Sequence, residues 1–190
     1  MCGILMKIAS GWCIWVTGLP SSGKSVISQA LLEKLKAKGA NAQILSSDML
    51  RKVVTPKSSY SFEERDMVYA TLVFIAKLLT ENGVNVIIDA TGNLRRYRDE
   101  ARKQIPRFIE AYIRCPLDIC IERESKRGIT FHAPKDIYKK GATGKSLTVP
   151  GLGAPYEPPL KPEVTVDSER LSPEECAQKI IKTLTKAFQL

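Results

Sequence analysis

Eight residues near the start of the chain, Gly18-Leu19-Pro20-Ser21-Ser22-Gly23-Lys24-Ser25, match the pattern GxxxxGK[ST] at every fixed position. Glycines at this spacing let backbone N–H groups wrap an anion without a Cβ in the way. In loops of this kind the lysine, here Lys24, reaches the β- and γ-phosphates of a nucleoside triphosphate, and the hydroxyl residue, here Ser25, holds Mg²⁺. Two acids lie where strand ends would bring them to the same place. Asp48 follows the short apolar run Ala42–Leu45, and Asp89 closes the run Val84–Ile88. Either acid can take a proton from an acceptor hydroxyl or stand beside the magnesium. The spacing alone leaves that choice open.

These groups need elements to hold them. Trp12-Cys13-Ile14-Trp15-Val16 runs straight into the glycine loop and reads as a buried strand. A helix over about Lys24–Lys38 follows, with Val26, Ile27, Ala30, Leu31 and Leu35 on one face and Gly39 after it. After the strand Ala42–Leu45 and a polar loop, Ser61-Phe62-Glu63-Glu64 forms a capping box that opens a helix to about Asn82. Val84–Ile88 is a strand apolar on both faces. A basic helix Leu94–Gln104, a strand Phe108–Ile113 and a helix Leu117–Arg123 come next. Residues 125–160, rich in Gly, Pro and Lys, break the rhythm and read as a long loop with a lid over about 125–158. A last strand Val164–Val166 precedes a helix capped by Ser172-Pro173-Glu174-Glu175. Alternating strands and helices predict a single α/β domain over residues 1–190, a three-layer sandwich with a parallel sheet of about five strands and helices on both faces.

Composition narrows the class further. The chain has 190 residues, 44% of them hydrophobic and 26% charged, as in globular proteins rather than disordered ones. Its net charge of +9 favours a polyanionic partner, whether phosphorylated small molecule or nucleic acid. The N-terminal apolar stretch is broken by Lys7, Ser10 and Gly11, so neither a signal peptide nor a membrane span is expected. Five cysteines without a CxxC pair and one histidine, His132, predict reduced thiols, a cytoplasmic setting and no zinc site. A regulatory GTPase would carry NKxD, and a helicase or transport ATPase would be longer with further motifs. What remains is a compact kinase for a small anionic hydroxyl compound. Trp12, Trp15, Phe74 and Phe108 fall in apolar patterns and are expected in the core.

Several pieces together resemble the adenylylsulfate kinase family from about Trp12 to the last helix. They are GLPSSGKS, Leu45–Arg51 (similar to LDGDxxR), Tyr60–Arg65 (similar to FSxEDR), Ala76-Lys77-Leu78, the pair Arg98-Asp99, Ile137-Tyr138-Lys139-Lys140 (similar to LYKKA), and Pro155-Tyr156-Glu157-Pro158 (similar to DPYEAP). The resemblance implies transfer of the γ-phosphate of ATP, with Mg²⁺, to the 3′-hydroxyl of adenosine 5′-phosphosulfate. It implies that Asp48 acts as the catalytic acid residue or metal partner and that Arg51 and Arg65 grip the acceptor. Lys139 and Lys140 would come down with the lid, and Arg123 would lie against the adenine of ATP. It also leaves a homodimer open.

The departures gather on the acceptor side. Where the family has ENIRR, this chain has Met67-Val68-Tyr69-Ala70-Thr71. FISP becomes Ala90-Thr91-Gly92-Asn93, KGFTG becomes Leu147-Thr148-Val149-Pro150-Gly151, and extra residues stand near Glu124–Ala133. Asp89-Ala90-Thr91 resembles the DAT turn of other P-loop kinases. Tyr60, Phe62, Thr91, Gly92, Asn93 and Arg98 complete the candidate acceptor set. The alternatives are a kinase of another small hydroxyl compound or of seryl-tRNA, and a nucleotide-dependent RNA-binding protein using the basic helix 95–103.

Overall fold

A computed structural model describes residues 9–128, 133–134, 136–143 and 147–189. His132 and residues 129–131 of the stretch read as extra lie outside them. The centre is β1 (Cys13–Thr17), all five residues of which are buried. Its alternation serves two cores at once. Trp12, Ile14 and Val16 point to one face and pack with Ile27, Leu31, Ile113, Ile180 and Leu184. Cys13 and Trp15 point to the other and pack with Tyr69, Leu72, Val86, Ile88 and Phe108.

Around β1 the sheet runs β2 (Ala42–Ser46), β3 (Asn85–Asp89), β1, β4 (Phe108–Arg114), β5 (Val164–Asp167). All four pairings are parallel, as the alternating pattern required. On one face α1 (Lys24–Lys36) lies against α7 (Pro173–Phe188). On the other lie α3 (Phe62–Glu81) and α4 (Arg95–Gln104). Val16 sits opposite Asp89, and Ser46 opposite Asp89, so the carboxyl ends of β1, β2 and β3 form one edge. Open parallel sheets bind ligands at that edge.

Two helices stand where the sequence read loop. α2 (Ser47–Val54) begins at Ser46, whose hydroxyl accepts the Met49 N–H at 3.4 Å. It turns Leu50 toward the core but leaves Met49 and Val53 in solvent, so its apolar residues split between two sides. α6 (Ile137–Ala142) is a short helix within the lid region, after α5 (Leu117–Lys126). Phe74 is a further correction, being 57% exposed on α3, while Trp12, Trp15 and Phe108 are buried as expected.

Candidate active site

The loop between β1 and α1 is shaped by its glycines. At Gly18 a Cβ would come within 2.6 Å of the Ile113 carbonyl oxygen. Gly23 caps α1 with φ +97°, a left-handed conformation that side chains resist. The turn aims the helix N-terminus, with its free amides and partial positive charge, into a cleft of about 1000 Å³. Pro20, Ser21, Gly23, Lys24 and Ser25 line that cleft, while Gly18, Leu19 and Ser22 stand behind them. The Ser21 and Ser22 hydroxyls are buried without a partner among the described residues, as a loop built to hold an anion would leave them.

Lys24 is buried and donates to the Leu19 carbonyl at 2.9 Å. Burial lowers its pKa, and the charges of Asp89 and then Asp48 oppose that fall. Asp89 ends β3 beside it. Burial pushes its carboxyl up, while the Lys24 charge and a hydrogen bond from Ser25 pull it back down. Asp48, half-buried in the first turn of α2, lines the cleft on the side of Arg51 and Tyr60. The two acids thus flank the lysine from different walls.

The wall beyond Asp48 is built by one carboxylate. Glu64 pairs with Arg51 and accepts from the Ser59 hydroxyl at 2.7 Å and the Tyr60 N–H at 3.1 Å. These bonds hold Tyr60 at φ +58°, a conformation costing a non-glycine residue roughly 1–3 kcal/mol. The Arg51 guanidinium lies 4.6 Å from the Tyr60 ring centroid. Burial pushes Glu64 up, but the hydrogen bonds from Ser59 and Tyr60 and the Arg51 charge outweigh it and hold the carboxyl below its usual range. Arg65 spends each of its nitrogens on a protein oxygen: Nε on Tyr60 O (3.1 Å), Nη1 on Asn93 Oδ1 (3.2 Å) and Nη2 on Thr148 O (2.5 Å).

The opposite end is ruled by Arg123. It donates to Ser168 O at 2.6 Å and to Ser168 Oγ at 3.2 Å. Ser168 in turn donates to the Ser22 carbonyl at 2.7 Å, tying that rim to the glycine loop. From the lid, the Tyr138 hydroxyl donates to Pro20 O at 2.8 Å. Lys140 lines the cleft, and Lys139 is exposed outside its lining.

Of the residues expected from the sequence, Lys24, Ser25, Asp48, Arg51, Tyr60, Arg65, Asp89, Thr91, Arg123 and Lys140 come together around one cleft. Phe62 does not, since it is 57% exposed at the start of α3. Gly92 and Asn93 are buried behind the wall, where Asn93 Nδ2 donates to Pro155 O at 3.0 Å. Arg98 is interior. It ion-pairs with Glu110 at 2.6 Å and holds the Gly92 and Glu157 carbonyls, so its charge serves the wall rather than the cleft. Tyr69, which the sequence reading passed over, lines the cleft as well. The basic helix is spoken for too. Arg95, Arg96, Arg102 and Lys103 face Glu157, Asp66, Glu163 and Glu100, which leaves no continuous basic face for an RNA backbone.

The family model for adenylylsulphate kinase matches residues 10–167. The chain belongs to the adenylylsulphate kinase family. These are ATP-dependent kinases, so the expected enzyme class holds. A probable adenylyl-sulfate kinase of Pyrococcus abyssi is 37% identical over 172 residues, 90% of this chain and 94% of that one. An adenylyl-sulfate kinase of Rippkaea orientalis is 37% identical over 174 residues, 92% of this chain and 91% of that one. Among solved structures, the Mycobacterium tuberculosis APS kinase CysC in complex with AMPPNP and APS superposes with a TM-score of 0.81 at 30% identity, covering 92% and 98% of the two chains. A gluconokinase of Sinorhizobium meliloti shares the fold at a TM-score of 0.63 and 18% identity. Among the described residues of this kinase, no helix is long and apolar enough to cross a membrane.

Proposed function

We propose that this protein transfers the γ-phosphoryl group of ATP to the 3′-hydroxyl of adenosine 5′-phosphosulfate, giving 3′-phosphoadenylylsulfate and ADP. The observation that carries the reading is the convergence of Lys24, Asp89 and Asp48 at the helix-capped loop of a chain matched by the family over most of its length. ATP lies with its phosphates in the glycine loop and its base toward Arg123 and Leu171. The acceptor enters between Asp48, Arg51, Tyr60 and Arg65.

Phosphoryl transfer of this kind is mainly positioning and charge neutralisation. Asp48 takes the proton from the 3′-hydroxyl as its oxygen bonds to the γ-phosphorus, and the bond from that phosphorus to the β–γ bridging oxygen breaks. Lys24 swings from the Leu19 carbonyl to the transferring group and offsets its charge. Lys140 adds a second cation from the lid. The Ser25 hydroxyl and the Asp89 carboxylate lie together and would hold Mg²⁺, which would supply positive charge against the phosphates.

The test is ADP release from Mg-ATP with adenylylsulfate, beside a panel of other small hydroxyl compounds and tRNA. Adenylylsulfate-dependent turnover that falls roughly 10²–10³-fold or more in Lys24→Ala is expected. ADP release with a different acceptor and none with adenylylsulfate would overturn the reading.

A further inference from the structure

Resting on that function, we infer that the Tyr69 hydroxyl donates a hydrogen bond to an anionic oxygen of the acceptor's phosphosulfate. Tyr69 sits on α3, with its ring stacked on Tyr97 at 4.4 Å and tilted against Trp15 at 6.2 Å. That packing fixes the ring, and the residue lines the cleft together with Thr91, the neighbour of the Gly92 that its hydroxyl meets. The hydroxyl accepts the Gly92 N–H at 3.0 Å. Among the described residues it donates to nothing. A phenol that accepts one bond still has its own proton to give, and a buried proton of that kind needs an acceptor.

The charges around it say what the acceptor is. Arg65 lies next to Tyr69, and its three partners, Tyr60 O, Asn93 Oδ1 and Thr148 O, are all uncharged. Its positive charge is therefore uncompensated and acts on the group that enters the cleft. Each of its nitrogens is anchored to a protein oxygen, which fixes the guanidinium and still leaves N–H groups on Nη1 and Nη2, and Arg51 is anchored to Glu64. The wall thus attracts an anion through arginines held in place by protein oxygens, and the Tyr69 hydroxyl stands beside them as a further fixed donor. This also accounts for how the chain manages with Val68, Ala70 and Thr71 where the resemblance leads one to expect an asparagine and two arginines. One fixed neutral donor beside a fixed charge takes the place of several mobile ones.

Tyr69→Phe keeps the ring packing and removes the donor. The expected result is a KM for adenylylsulfate raised about tenfold, with kcat and the KM for ATP within about twofold of wild type. The variant also loses the acceptor for the Gly92 N–H, so a second ligand separates recognition from loosening of the wall. Adenosine carries the base and sugar but no anionic tail, and its inhibition constant against adenylylsulfate should be unchanged in Tyr69→Phe. Equal weakening of adenosine and adenylylsulfate, or an unchanged KM for adenylylsulfate, would overturn the assignment. A wild-type protein with no turnover of adenylylsulfate would instead overturn the function on which the assignment rests, and the assignment with it.

Discussion

At the scale of single residues, the two acids divide by what surrounds them. Asp89 is buried, faces Lys24 and accepts from Ser25, so it belongs to the wall of the glycine loop. Asp48 is half-buried in the first turn of a helix and shares its wall with Tyr60 and Arg51. A base must shed its proton to bulk water each cycle, and the more open position suits that work. Asp48→Asn is therefore expected to lower kcat about 10²–10⁴-fold with the magnesium requirement unchanged. Asp89→Asn should instead raise the magnesium concentration needed for half-maximal rate. kcat and its dependence on magnesium, measured for both variants, check this, and exchanged phenotypes would exchange the roles.

Elements carry the next level. Glu64 joins α2, the turn at Tyr60 and the start of α3, so the acceptor wall depends on one carboxylate being ionised. Its pKa is held below the ordinary value of 4.5 in the folded chain. A depressed carboxylate contributes stability above its unfolded pKa and loses that contribution as pH falls through the folded one. Glu64→Gln should thus cost about 3 kcal/mol at neutral pH, the cost of leaving Arg51 without its buried partner. The gap in Tm between variant and wild type should close below about pH 4.5. Melting curves from pH 7 to 3 measure it, and a gap independent of pH would contradict it. This wall also marks the limit of what the sequence discloses. The glycine loop, the strands β1 and β3 and the capped helices α3 and α7 are legible because spacing dictates them. α2 is not, since two of its four apolar residues, Met49 and Val53, face solvent. Tyr69 is not, because a tyrosine in an apolar stripe reads as core whether or not its hydroxyl meets a cleft. Charge likewise carries no label for burial, which is why Arg98 reads as a substrate contact.

Over the whole molecule, the +9 charge is spent unevenly. On α4 it is met by carboxylates, and the deepest of those pairs is Arg98 with Glu110, where α4 meets β4. From there Arg98 reaches the Gly92 and Glu157 carbonyls, joining the loop after β3 to the strap that follows the lid. Burial pushes the Glu110 carboxyl up, and the charges of Arg98 and Arg102 counter it. Breaking such a pair leaves one charge buried alone, which costs about 3–5 kcal/mol, whereas removing both costs far less. Arg98→Met should lower Tm sharply, and Arg98→Met with Glu110→Leu should recover much of the loss. Recovery of stability need not restore function, because neither apolar side chain can hold the two carbonyls. The double variant is expected to melt near wild type while its KM for adenylylsulfate stays raised and its KM for ATP is normal. Melting curves and the two KM values together decide this. If both KM values returned with Tm, the carbonyl contacts would be incidental, and Arg98 would serve only to neutralise Glu110.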